Sequence, residues 1–305
     1  MKTLLLKVLV CAVCFGFTIA LMAQEPRIPI RPVPATIVPQ DPGTPISSLP
    51  YTISAQGSYF LTGNLTASGS TAGITISADN VTLDLSGFAL VGGGSGSVAG
   101  INVPSAQKNI LIRNGTVRGW TNGGVNATNA TNSVIQGLRL SNNTANSTFF
   151  NVAALSVGSG STVKDCVVAQ NTNSHGISVG NACLVSGCVA RANSVGAGIR
   201  AADSCYVVGN MSDSNGTGIA VGSGNRIDSN SCTSNMSAGV LVPSGATNNI
   251  VIRNSARSNN PNYNIASGNR YGTIADETPG VTGAAFGNTA ITTLVTTDPW
   301  ANFAY

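Results

Sequence analysis

The chain has 305 residues, only 9% of them charged, with 15 basic against 11 acidic side chains and a formal net charge of +4 at pH 7. Removing Lys2 and Lys7 with a cleaved leader leaves 13 basic residues, so the net falls to +2 with no basic run. That excludes the electrostatic footprint of a nucleic-acid binder. Past the first twenty or so residues no sustained 3.6-residue apolar stripe occurs, which excludes a helical bundle.

In chain order, Lys2 and Lys7 precede an apolar run over residues 8–22, and Ala23 offers a small residue for cleavage. This reads as a secretory signal peptide over 1–23. The run is about 15 residues, short of the ~20 that a spanning helix needs. Cys11 and Cys14 lie inside it without a lipoprotein-type context. Residues 24–50 follow as a Pro-rich linker, with eight of the thirteen prolines between 26 and 50. Residues 51–272 carry a repeat, and 273–305 form a C-terminal tail or cap.

The repeat is marked by Asn142, Asn171, Asn193, Asn215, Asn235 and Asn259, at intervals of 29, 22, 22, 20 and 24 residues. Units this short cannot bury a core alone and must stack as a solenoid. Stacked coils bring equivalent side chains to about 4.8 Å, so identical amides can bond up the stack. The six asparagines are therefore expected to form one column, at a corner whose left-handed backbone Asn tolerates. A second column joins a small residue to an aliphatic one: Gly73-Ile74, Gly100-Ile101, Gly124-Val125, Ala154-Leu155, Gly176-Ile177, Gly198-Ile199, Gly218-Ile219 and Gly239-Val240. Ten to fourteen residues further on, Asp84, Arg113, Gln136, Asp165, Gly187, Gly209, Ser229 and Arg253 form a third, about 24 residues per coil. Stretches such as Val81-Thr82-Leu83-Asp84-Leu85 and Ile110-Leu111-Ile112-Arg113 alternate with a period of two and read as strands. The expected fold is all-β, a single-stranded solenoid of about eight coils with an N-terminal cap.

These columns resemble the right-handed parallel β-helix repeats of the pectate-lyase-like superfamily, over roughly residues 51–272. The opening Leu49-Pro50-Tyr51-Thr52-Ile53 through Gly57-Ser58-Tyr59-Phe60-Leu61 is similar to the N-terminal cap of secreted bacterial members. Val81-Thr82-Leu83-Asp84-Leu85-Ser86-Gly87-Phe88 and Arg113-Asn114-Gly115-Thr116-Val117-Arg118-Gly119 are similar to the same group. The resemblance implies the fold and is weak for activity, because lyases, hydrolases, epimerases and adhesins share it.

Five cysteines remain after the leader: Cys166, Cys183, Cys188, Cys205 and Cys232. The separations 166 to 188 and 183 to 205 are both 22, one coil, so each pair should stack. Such pairs are read as packed free thiols over disulfides, since side chains of one column point the same way.

Three places invite chemistry. His175, in Ser174-His175-Gly176-Ile177-Ser178-Val179-Gly180, resembles a segment of polygalacturonase-type hydrolases. The carboxylates that such cleavage needs are missing from the preceding coil, Val152-Ala153-Ala154-Leu155, and Asn171-Thr172-Asn173 is amide throughout. A lyase site would need a base, and calcium or positive charge to neutralise the substrate carboxylate; no cluster of oxygen ligands for calcium is evident. Asp84 with Arg113 and Arg191 with Asp213 are expected as surface ion pairs. The third place is one corner, where the longer segments 90–98 and 143–153 flank Arg118-Gly119-Trp120. There Trp120, Phe149 and Phe150 would stack on sugar rings and Arg118 would bind acidic groups. The reading that results is an exported, monomeric β-helix that binds, or binds and cleaves, a uronate-type extracellular polysaccharide, without a resident cofactor or metal. The competing class is a non-catalytic structural or adhesin-like solenoid.

Overall fold

A computed structural model describes residues 43–94, 96, 98–144, 153–276, 285–286, 289–291 and 297–305. The chain divides into two units, Met1–Gln40 and Asp41–Tyr305, and every described residue lies in the second.

One coil shows how the sequence makes the rest. Strand His175–Val179 is followed by Leu184–Ser186 and Val189–Arg191, and the next coil opens at Ala197–Ala201. Between strands the chain turns at residues of positive φ: Ala182 (55°), Gly187 (63°), and Ala192 (51°) together with Val195 (76°). One left-handed residue between extended ones makes a sharp bend without a loop, so 22 residues suffice to bring Ile177 beside Ile199. The first strands of successive coils build an eleven-stranded parallel sheet from Tyr51–Ile53 to Ala285–Phe286. The second and third strands form one larger sheet folded at the corner between them. The molecule is a parallel β-helix, as expected.

All eight small-aliphatic pairs fall in register in the eleven-stranded sheet, as Ile74, Ile101, Val125, Leu155, Ile177, Ile199, Ile219 and Val240. Tyr51 precedes them and Tyr263 follows. The solenoid also extends beyond 51–272. Thr44–Ile46, at the end of the Pro-rich segment, pairs in parallel with Gly57–Leu61. At the other end Asn302–Ala304 pairs with Ser255–Arg257 and with Ile274–Asp276.

Behind many of the left-handed residues comes a buried residue whose side chain accepts a backbone N–H from the coil before. At one corner the chain of bonds runs from Trp120 N–H to Asn143 Oδ1 (3.1 Å) and on through Asn171, Asn193, Asn215, Asn235 and Asn259. Side-chain Nδ2–Oδ1 bonds of 2.8–3.2 Å tie the same amides together. The first rung is Asn143 and not Asn142, a correction of one residue. Asn142 is the exposed left-handed residue (φ 53°), and Gln170, Ala192, Ser214, Ser234 and Ser258 hold that place in later coils. The ladder asparagine therefore does not supply the left-handed bend; its predecessor does.

Two more ladders serve the other corners. One passes from Cys188 N–H to Asn210, Asn230, Asn254 and Asn302. The other runs from Ile110 N–H through Ser133, Ser161, Cys183, Cys205, Asn225, Asn249 and Asn269. Cysteine thus does the work of asparagine, with Sγ accepting the Ser161 and Cys183 N–H groups at 3.4 Å. Both expected cysteine pairs stack at these corners, and all five thiols are free and buried. Burial pushes the Cys232 thiol up to about 12, as befits a packing residue.

The ladders also explain the glycines. A Cβ on Gly176, Gly198 or Gly239 would lie 2.5–2.8 Å from Nδ2 of Asn193, Asn215 or Asn259. The amide and glycine columns of the sequence are two sides of one contact. The third column slips. Register pairs Asp84, Arg113 and Gln136 with Lys164, Ser186, Val208, Asp228 and Ile252. Asp165, Gly187, Gly209, Ser229 and Arg253 sit one residue later, at the left-handed corner. Spacing alone cannot separate the last strand residue from the corner residue beside it.

Candidate functional site

At the corner singled out in the sequence, Trp120 is not on the surface. Gly119 (φ 75°) is the left-handed residue there, so Trp120 takes the ladder position and points inward. It is 1% exposed, its Nε1–H donates to Leu90 O at 3.2 Å, and its ring lies where a Cβ on Gly73 or Gly100 would stand. An indole so placed has no face to offer a ligand. Arg118, two residues earlier and before the bend, is exposed. Phe149 and Phe150, the other two side chains expected at this corner, lie outside the described residues.

His175 is engaged structurally. Its Nδ1 accepts the Ala197 N–H at 2.9 Å, and its register partner in the sheet is Ala153. Both expected ion pairs form, Arg113 with Asp84 at 2.7 Å and Arg191 with Asp213 at 3.9 Å. Their side chains are substantially exposed, so each contributes little to stability.

The concave surface with the best chemistry lies on the outer face of the eleven-stranded sheet. Strand alternation sends Ile177 and Val179 inward and Ser178 outward. Outward register places Asn102, Asn126, Ser156, Ser178 and Arg200 in one line, one residue per coil. After Arg200 the line turns apolar, with Ala220 and Leu241. A cavity of about 330 Å³ sits over the polar part, lined by Thr128, Ser156, Ser159, Ser178 and Arg200 with the glycine corners Gly158 and Gly180. A Cβ on Gly180 would come within 2.7 Å of Ser159 N, so glycine there keeps successive corners close. Arg200 forms no ion pair among the described residues. The sequence reading passed over it because a lone arginine in Gly-Ile-Arg-Ala carries no motif; only coil register places it above two serines.

These features define a parallel β-helix protein with a polar lateral groove. Residues 154–287 match the model of a family described as periplasmic copper-binding protein (NosD). No curated protein sequence matches the chain. Among solved structures, the A-module of mannuronan C-5 epimerase AlgE4 from Azotobacter vinelandii is similar at 15% identity. The likeness covers 70% of this chain and 75% of that one, with a TM-score of 0.41.

The copper of the family description finds no matching donor set here. No group of three or more His, Cys, Asp or Glu residues gathers among the described residues. His175 Nδ1 is taken by a backbone N–H, and the thiols are spent inside the coil as ladder acceptors and packing groups. Met211 and Met236 are exposed but stand apart, one on a strand and the other at a corner. A copper site wants converging thiolate, thioether or imidazole ligands. Calcium would need several converging oxygens, and the buried carboxylate of Asp228 is already held by Arg226 and Arg253.

Proposed function

We propose that this protein is exported and binds an acidic extracellular polysaccharide along the outer face of the eleven-stranded sheet. The observation that carries the reading is Arg200, which has no ion-pair partner among the described residues and stands over Ser156 and Ser178 in an open groove. A chain of uronate or sulfated sugars presents what such a groove accepts: hydroxyls for the serine and threonine donors and an anionic group for a guanidinium. The near-neutral net charge argues for one local contact over a diffuse field. Export is supported by the leader-like residues 1–23 and by the periplasmic description of the matched family. The groove lining contains no carboxylate and no imidazole. Glycoside cleavage needs an acid–base pair of that kind, so binding, and not turnover, is the proposed activity.

Arg200→Ala is expected to weaken binding of a galacturonate polymer about tenfold, the loss of one charge-assisted contact. It should also flatten the dependence of affinity on salt, since a partly exposed charge is screened. Calorimetry at low and high ionic strength reads both effects. Unchanged affinity in Arg200→Ala would sink the proposal.

A further inference from the structure

Two arginines lie against partly exposed aromatic rings in the later coils, around one buried carboxylate. Asp228 closes strand Arg226–Asp228, and its side chain is 0% exposed. Two guanidinia hold it. Arg226 Nε and Nη2 donate to Oδ2 at 3.1 and 2.9 Å, and Arg253 spans both oxygens, with Nε to Oδ1 at 2.7 Å. Ser229 Oγ donates to Oδ1 at 2.9 Å and Tyr206 OH to Oδ2 at 3.3 Å.

Each guanidinium also lies against a ring. Arg226 is 5.6 Å from the Tyr206 centroid, and Arg253 is 5.3 Å from that of Trp300. Trp300 is fixed by its backbone. Asp298 Oδ1 accepts the Trp300 N–H at 2.9 Å and Oδ2 the Thr273 N–H at 3.2 Å, while Trp300 O accepts the Arg253 N–H at 3.2 Å. The bond from the Trp300 N–H holds the Asp298 carboxyl below its ordinary value. Tyr206 and Trp300 nonetheless remain 37% and 49% exposed.

Two features go beyond what holding Asp228 requires. One carboxylate answers two guanidinia, which leaves a net positive charge. A guanidinium has five N–H donors; Asp228 takes two from each, and the remaining three of Arg226 and of Arg253 have no partner among the described residues. These donors are fixed in place beside two half-exposed rings, so little side-chain freedom is lost when a ligand binds. We propose that Arg226, Arg253, Tyr206 and Trp300 form a second binding site, for an acidic sugar residue. Its carboxylate or sulfate would take the free guanidinium N–H groups, and the apolar face of its ring would lie on Trp300 or Tyr206. A bare inorganic anion would use the donors and leave both rings idle. The inference shares its ligand class with the groove at Arg200 but rests on none of that groove's residues.

The chain has two tryptophans, and Trp120 is in the core. Changes in emission on ligand addition therefore report Trp300. Titrating the intact protein with a short galacturonate oligomer should shift and quench this emission, with an affinity that weakens as salt is raised. Maltohexaose, which is neutral, and sodium sulfate should leave it unaltered. Trp300→Ala should remove the signal and weaken binding at this site about tenfold, with Arg226→Gln weakening it similarly. In Arg200→Ala the emission change should persist at full amplitude. An unresponsive emission, or an equal response to maltohexaose or sulfate, overturns the second site. If calorimetry then still shows salt-dependent binding that Arg200→Ala removes, the groove stands alone. If emission responds while Arg200→Ala alters nothing by calorimetry, the groove fails and this site stands.

Discussion

Asn193→Ala is expected to lower the stability of the protein by about 3–4 kcal/mol. The side chain donates to Asn215 Oδ1 at 3.0 Å and Val168 O at 3.0 Å, and it accepts from both the backbone and side-chain nitrogens of Asn171. Alanine removes all four bonds and leaves the buried Asn171 N–H without its partner. Each lost bond contributes roughly 1 kcal/mol, more where the remaining group cannot reach water. For a chain of this size the melting temperature should fall by on the order of 10 °C. The end of the ladder gives the control. Asn143→Ala should be costly too, because Asn143 accepts the Trp120 N–H and donates to Val117 O and Asn171 Oδ1. Asn142→Gly should be near neutral, since glycine adopts the left-handed backbone freely. Chemical denaturation of the three variants decides the matter: equal costs at 142 and 143 would refute the register.

Asp228→Ala is expected to cost about 2–3 kcal/mol. Removing one partner of a buried pair strands its counter-charges, a loss of ~3–5 kcal/mol when all are buried. The smaller figure reflects guanidinia that are about two-fifths exposed and can rehydrate. The pH dependence has a definite sign. Burial raises the Asp228 pKa, but the bonds from Arg253, Arg226 and Ser229 outweigh it and hold the carboxyl at about 2. Its folded value is thus below its ordinary 3.8, so the stabilisation is complete above about pH 4. It is lost as pH falls from there through about 2. The gap in stability between wild type and Asp228→Asn should therefore narrow over that window and stay constant from pH 5 to pH 7. A gap that instead widened on acidification would show that Asp228 is not held as an anion.

Both effects belong to features of unequal visibility in the sequence. The small-aliphatic column was legible at all eight places because the interior position recurs there as Ile, Val or Leu behind a small residue. Five of the six ladder asparagines were legible because one residue type recurs. The other two ladders were hidden because Ser, Cys and Asn share the single task of accepting an N–H, so no type repeats. At Asn142-Asn143, and from Asp165 to Arg253, the reading slipped by one residue. Strand end and left-handed corner are adjacent, and both accept polar residues.

What the sequence determined alone was the architecture: period, parallel stacking, the sheet that carries the groove and the pairing of the cysteines by coil. Local repetition dictates these, since every coil meets only its neighbours. Tertiary structure decided which way each chemically distinctive side chain points. A glycine bend one residue before Trp120 turned an expected binding surface into core. Coil register raised Arg200 over Ser156 and Ser178 from positions 44 and 22 residues apart. The return of the C-terminal segment, which carried no repeat signal, set Trp300 beside Arg253. Facing is fixed by a single backbone dihedral at each corner, and contacts with the returning segment span long stretches of chain; neither leaves a periodic trace in the sequence.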